Sequence, residues 1–370
     1  MKSLRVLIIR NAYQKDAGGA EQYALNLAIA LKSSGHKPIL VTKVLKLQEK
    51  AKLNGIKFIK SKWYDKQGWS RSYYIRYILT TAWYIYLIIG YRIDVVHPQG
   101  RDDFVFVTRA GSMLGKTVIW TDHADLKYIL DNINHYNPRM RSWVINAAKH
   151  ASTIISSSYA DQKSVQAVAP DFPNTIVVHN GVFKPAGLSP VKKTNKLIVG
   201  TNARLVRDKG IGELITGFSN LHQKDVDLWL LGGTSGNKSK YQALAKKLGV
   251  ENRVHFWGYV NNPNDVVVSM DIFVHASYLE AFSLAIIEAA MLGRPIIATN
   301  VGGTPEIIDS NCGILVEPKD APAITSALVK LFSDKALREK LGHAVKVKAM
   351  KDFNFQNIVE QQIIPLYLKS

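Results

Sequence analysis

A chain of 370 residues exceeds one typical domain, and 47% apolar residues suffice for two cores, which excludes a disordered chain. Its one cysteine, Cys312, excludes an intrachain disulfide and suits a reducing compartment. The net charge of +19 is uneven, with 26 Lys and Arg against 12 Asp and Glu in residues 1–185, so the basic half calls for a phosphorylated substrate, an anionic membrane surface or nucleic acid.

In chain order, Leu4–Arg10 (LRVLIIR) reads as a buried first strand. Arg10 cuts its apolar run too short for a signal peptide, and no small-residue cleavage site follows. The turn Asp16-Ala-Gly18-Gly19-Ala-Glu21 then precedes a helix over Ala20–Lys32. Adjacent glycines ahead of a helix let backbone N–H groups meet a phosphate. The fingerprints G-x-G-x-x-G and G-x-x-x-x-G-K-[ST] are both missing, which counts against a dehydrogenase or a P-loop enzyme. Short β-branched runs follow at Pro38–Thr42, Lys57–Ile59, Asp94–His97, Thr117–Thr121, Thr153–Ser157 and Thr175–Val178. Helical stretches such as Tyr73–Ile89 and Ser142–Lys149 separate them, the pattern of a parallel sheet covered on both faces.

The longest apolar stretch, Ile78–Gly90, falls short of the roughly 20 residues that span a bilayer and is expected to be a core helix. The aromatic and basic run Ser61–Leu79 (SKWYDKQGWSRSYYIRYIL) is a candidate contact with an anionic membrane. A core-facing helix with solvated lysines is the alternative, and burial of Trp63, Trp69 and Tyr73 would favour it. His123, in Thr121-Asp122-His123 just after a strand, either hydrogen-bonds a sugar hydroxyl or is structural.

Lys184–Asn195 (KPAGLSPVKKTN) has the composition of a linker. A second strand series begins with KLIVGT at Lys196 and continues at Val226–Leu231, Val254–Phe256, Ile272–Val274, Pro295–Ala298 and Gly313–Val316. Two doubly wound domains follow, 1–185 and 186–352, with residues 353–370 forming a helix that crosses back to the first domain and that Pro365 kinks or ends early. In such domains ligands bind at the carboxyl ends of the strands.

Three second-half loops lie at that edge. In Asn202-Ala-Arg204-Leu-Val-Arg207-Asp-Lys209-Gly210, a guanidinium and an ammonium suit a diphosphate, and Gly210 permits close backbone approach. In Glu280-Ala-Phe-Ser-Leu-Ala-Ile-Ile-Glu288, Ser283 is a candidate helix N-cap. The backbone N–H groups of Phe282, Ser283 and Leu284 then form an anion site, with Glu280 on the loop and Glu288 partly buried in the helix. Val301-Gly302-Gly303-Thr304-Pro305-Glu306 is a turn whose glycines either approach a ligand or only tighten the chain. No His/Cys cluster has metal-ligand spacing. The one D-x-D, Asp225-Val226-Asp227, opens a strand at the amino end of the sheet and reads as a solvated strand start.

These motifs resemble glycosyltransferase family 4, retaining enzymes of the GT-B fold, over nearly the whole chain. EAFSLAIIEAAMLGRP matches the family's paired-glutamate segment, with Ser283 where glycine is common and Met291 where alanine is usual. Arg204 and Lys209, the V-G-G-x-x-E turn, the N-terminal G-G-x-E at Gly18, Gly19 and Glu21, and the segment Val178–Val182 match in family order. The resemblance implies two Rossmann-like domains facing a central cleft. It also implies that Glu288 binds the ribose, Glu280 lies near the transferred sugar, and Arg204 with Lys209 holds the diphosphate. Gly19 would offer its N–H to phosphate, and His123 would contact the sugar and the reaction centre.

The expected function is retaining, metal-independent transfer of a hexose in cell-envelope polysaccharide or glycolipid synthesis. The donor would be a UDP- or GDP-linked nucleotide-sugar, a substrate rather than a cofactor, and the acceptor a glycan or lipid-linked molecule. The expected location is cytoplasmic, peripheral on the inner face of the membrane. Alternatives are a GT-B sugar-nucleotide epimerase and, on charge alone, a nucleic-acid-binding protein. No nucleic-acid partner is expected, because no reading motif is present.

Overall fold

The computed structural model describes all residues except 1, 12–17, 62–71, 124–125, 127–137, 169, 171, 173–174, 192–194, 234–235 and 370, and not the side chains of 72–74, 101–103, 138–141 and 168. The chain forms two compact units: Met1–Asn180 with Phe355–Ser370, and Gly181–Asn354. The stretch with linker composition belongs to the second unit. Its Ser189 and Val191 N–H groups donate to Asp265 Oδ1 and O, at 2.8 and 3.2 Å, and Leu188 and Val191 pack on that unit's core.

The first unit runs β1 (Arg5–Ile9), α1 (Gly19–Ser33), β2 (Lys37–Thr42), α2 (Leu45–Leu53), β3 (Lys57–Lys60), α3 (Ser72–Gly90), β4 (Val95–Pro98), α4 (Arg101–Met113), β5 (Thr117–Asp122), α5 (Pro138–Ala148), β6 (Thr153–Ser156), α6 (Tyr159–Val168) and β7 (Thr175–Val177). Its sheet is parallel, in the order β3-β2-β1-β4-β5-β6-β7. Central strands such as β1 carry apolar side chains on both faces because helices cover both, which is why they read as unbroken apolar runs.

The second unit runs β8 (Leu197–Asn202), α7 (Ile211–Ser219), β9 (Val226–Leu231), α8 (Lys238–Lys247), β10 (Val254–Gly258), α9 (Pro263–Val267), β11 (Ile272–His275), α10 (Leu284–Met291), β12 (Ile296–Thr299), α11 (Thr304–Ile307), β13 (Ile314–Val316), α12 (Ala321–Ser333) and α13 (Lys335–Asp352). Its sheet is parallel too, in the order β10-β9-β8-β11-β12-β13.

The last segment forms α14 (Phe355–Ile358), a π turn over Val359–Ile363, and α15 (Ile364–Leu368). Pro365 neither ends nor sharply breaks it. The ring has no N–H for the carbonyl four residues back, and the helix widens by one π turn just ahead of it. Within the first unit this segment is well anchored: Tyr367 Oη lies 2.6 Å from His97 Nδ1, and Phe355 meets the Tyr23 ring edge-on at 5.1 Å.

Helix α3 departs from the expected core helix. Tyr84, Leu87 and Ile88 are buried, but Ile75, Ile78, Leu79, Tyr86 and Ile89 are 43% to 69% exposed. Apolar residues run round the whole helix, so periodicity alone cannot show which side is covered. Trp63, Trp69 and the side chain of Tyr73 lie outside the described residues. Among the described residues no helix is long and apolar enough to cross a membrane.

Candidate functional site

In the second unit, β8 ends at Asn202 and the chain turns through Arg207–Lys209 into α7. Arg204 is exposed on this loop, with no ion-pair or side-chain hydrogen-bond partner among the described residues. Gly210 has φ 61°, and a Cβ there would strike the carbonyl of Ala276. Its close approach is therefore to the backbone that follows β11, which fastens the Arg204–Lys209 loop to the loop carrying Glu280.

That second contact continues through side chains. Glu280 Oε2 accepts from Lys209 Nζ at 2.5 Å and from His275 Nε2 at 3.0 Å, and Ser277 Oγ lies 3.0 Å from the same nitrogen. Burial alone would push the Glu280 carboxyl up. The His275 hydrogen bond and the charges of His275 and Lys209 outweigh it and hold the pKa at about 2. Glu280 is thus a fixed carboxylate, able to accept hydrogen bonds but not to supply a proton. Its side chain is 16% exposed, enough for a ligand to reach it.

Gly302 has φ 50°, and a Cβ there would collide with the carbonyl oxygen of Glu280, while Gly303 N–H donates to Ala281 O at 3.0 Å. The Val301–Glu306 turn therefore buttresses the Glu280 loop from behind. Ser283 caps α10, its Oγ accepting from Ile286 N–H at 3.4 Å. The N–H groups of Ser283 and Leu284 donate to no partner among the described residues and sit at the positive end of the helix. The Phe282 side chain is in the core, edge-on to Phe353 at 5.6 Å, so it is not available to a ligand. Glu288 is half-buried within α10.

In the first unit, Gly18 is the N-cap of α1, and Glu21 Oε2 accepts its N–H at 2.7 Å, the carboxylate half of a capping box. Gly18's N–H is thereby committed, whereas the N–H of Gly19, the first helical residue, donates to no partner among the described residues. Glu21 Oε1 also receives Arg10 Nε and Nη2, each at 2.7 Å. His123 follows β5, half-buried, with its ring 4.9 Å from Tyr23 and Nε2 without a partner among the described residues. Burial, then the nearby Arg10 and His97, keep its pKa well below the ordinary histidine value, so the ring is neutral.

Comparison with known proteins bears on both units. Residues 17–183 match the family model described as Glycosyltransferase Family 4, and residues 189–348 match that described as Glycosyl transferases group 1. The chain belongs to the group 1 glycosyltransferases. It is 25% identical over 333 residues to a human phosphatidylinositol N-acetylglucosaminyltransferase component, and the match covers 85% of this chain and 65% of that one. To the capsular polysaccharide biosynthesis glycosyltransferase CapM of Staphylococcus aureus it is 31% identical over 170 residues, 45% of each chain. These matches thus span less than two thirds of either relative's length. The fold is that of Anabaena HepE, crystallised with UDP and glucose, at TM-score 0.81 and 19% identity, covering 98% of this chain and 99% of that one. Both sheets place the protein in the GT-B class.

The motifs by themselves did not single out His275 or Arg10 in this group 1 glycosyltransferase. Each leaves one signal in the sequence, a polar residue closing an apolar strand at the ligand edge. The D-x-D reading needs a correction. The pair does lie at the amino end of β9, but Asp227 is buried and binds Lys196 Nζ at 3.0 Å and His255 Nε2 at 3.3 Å, while only Asp225 is exposed. Both faces of β9 are covered, so a side chain at its second position cannot be solvated. Among the described residues no three His, Cys, Asp or Glu are placed to hold a metal ion.

Proposed function

We propose that the protein transfers a hexose from a UDP- or GDP-linked nucleotide-sugar to a glycan or lipid-linked acceptor, with retention, in the synthesis of a surface polysaccharide or glycolipid. The observation that carries this is the ionised Glu280 bound to Lys209 beside the N-terminus of α10, on the strand edge that also bears Arg204. The activities named for the human and staphylococcal relatives and the UDP and glucose in HepE support it.

In this reading the diphosphate meets Arg204, the two Lys209 N–H groups not used by Glu280, and the N–H groups of Ser283 and Leu284. Glu288 binds the ribose hydroxyls and Glu280 accepts from hydroxyls of the sugar. In the first unit, Gly19 N–H meets phosphate and neutral His123 a sugar hydroxyl. The bond from the anomeric carbon to phosphate breaks as the bond to the acceptor oxygen forms on the same face, and the acceptor proton passes to the leaving phosphate. No carboxylate base is required, which suits a Glu280 too weakly basic to act as one. Nucleoside diphosphate released only with acceptor present, a product of retained anomeric configuration and full rate after chelation would support this. Inversion, or release that tracks no acceptor from a glycan and lipid-linked panel, would overturn it.

The exposed stripe of α3 supports an anionic bilayer as the surface bearing the acceptor. Ile75, Ile78, Leu79, Tyr86 and Ile89 are exposed on a helix with no acidic residue, in the half of the chain richest in Lys and Arg. A second copy of a chain of charge +19 would be repelled from that face, whereas anionic lipid is attracted.

A further inference from the structure

We propose that His275 is a positioning residue of the donor site, one that clamps Glu280 Oε2 jointly with Lys209 so that Oε1 is the oxygen presented to the transferred sugar. The proposal rests on the transferase reading above. His275 ends β11, whose other residues are Ile, Phe and Val, and it is 2% exposed. A polar ring buried there is costly unless it is hydrogen-bonded, and its Nε2 meets both Glu280 Oε2 and Ser277 Oγ at 3.0 Å. Facing a carboxylate, Nε2 carries the proton. Nδ1 has no partner among the described residues, so Nε2 makes the hydrogen bonds of this ring. The ring therefore donates from Nε2 toward Glu280.

The ring is also held rigidly. β11 pairs with β12 through His275 and Ala298, and Thr299 Oγ1 donates to the carbonyls of Ser277 and His275 at 2.5 and 3.4 Å. Glu280, by contrast, stands on a loop and has three rotatable side-chain bonds. Two donors from separate elements remove that freedom at Oε2. Oε1 keeps no hydrogen-bond partner among the described residues and is the oxygen left for substrate.

The test compares His275→Leu and His275→Gln with the wild type in nucleoside diphosphate release from the UDP-, GDP- or ADP-sugar that stabilises the wild type, in the presence of the glycan and lipid-linked acceptor panel. H275L removes the donor, and kcat is expected to fall by about 10- to 100-fold, the effect of one hydrogen bond to a charged group. Affinity for the free nucleoside diphosphate should stay within about twofold. The acid limb of the pH–rate profile should move to higher pH, because only Lys209 then opposes the upward push of burial on Glu280. H275Q, which keeps an N–H donor at similar reach, should recover most of the rate and the low acid limb. An H275L enzyme with wild-type rate and acid limb, or a folded H275Q enzyme as impaired as H275L, would overturn the assignment. If H275L fails to fold, His275→Asn, with a shorter donor, is judged by the same two criteria. A wild type that releases nucleoside diphosphate from none of these donors with any acceptor of the panel would sink the transferase reading instead.

Discussion

Replacing Gly302 by alanine perturbs the Glu280 loop without touching any side chain proposed to bind substrate. The backbone at Gly302 has φ 50°, and an L side chain in that left-handed region costs about 1–2 kcal/mol. The new methyl also overlaps the carbonyl oxygen of Glu280, so one of the two strands of backbone must retreat by roughly 1 Å in a packed interior. Such a retreat stretches the bonds of Glu280 Oε2 to Lys209 and His275, now 2.5 and 3.0 Å. Together these effects should destabilise the second unit by about 2–4 kcal/mol, which lowers Tm by roughly 5–15 °C at the 2–4 °C per kcal/mol usual for its size. A catalytic group misplaced by about 1 Å costs on the order of 100-fold in rate. Thermal unfolding and nucleoside diphosphate release measured on Gly302→Ala check both figures. A Tm within about 2 °C of wild type, with a rate within about twofold, would refute the claim that this glycine seats the Glu280 loop.

Other outcomes follow from the same geometry. Folding lowers the Glu280 carboxyl from 4.5 to about 2, so its ionised form contributes stability that is full above pH 4.5 and is lost as the pH falls toward 2. The unfolding free energy of Glu280→Gln from urea titration should lie below that of wild type by a constant gap, on the order of 3 kcal/mol, from about pH 8 to 5, and the gap should close below that range. Asp227→Ala should cost about 1–3 kcal/mol, because it leaves Lys196 and His255 without their buried partner, and should not change affinity for nucleoside diphosphate. The double change Ile78→Glu and Ile89→Glu should reduce co-sedimentation with phosphatidylglycerol vesicles by tenfold or more. Both residues are exposed, so stability should move by only about 0.5 kcal/mol.

Much of the fold was readable because burial on both faces makes strands conspicuous. LRVLIIR, the run at Val226–Leu231 and the Ser283 cap lie where their patterns put them. What was not readable depends on residues distant in sequence. The ion pair of Lys209 and Glu280 joins positions 71 apart, and no local pattern announces it. The glycines at 210 and 302 read as possible ligand contacts, but each instead passes against the backbone of the loop between β11 and α10. Asp227 read as solvated because charged residues usually are, yet covering both faces of β9 buries it. Helix α3 misled in the opposite direction: so apolar a stretch implies burial, yet Ile75, Ile78, Leu79, Tyr86 and Ile89 are exposed.

Glu288 offers the most direct test that the second unit binds a nucleotide-sugar. UDP-, GDP- and ADP-sugars are added to the wild type and to Glu288→Ala, and thermal unfolding is followed. A true ligand at 100 times its Kd stabilises by about 2.7 kcal/mol, several degrees for a unit of this size. The account predicts that at least one of these donors raises the Tm of the wild type and leaves Glu288→Ala almost unmoved. A wild type that responds to none of them, or a Glu288→Ala protein that responds as the wild type does, would contradict it.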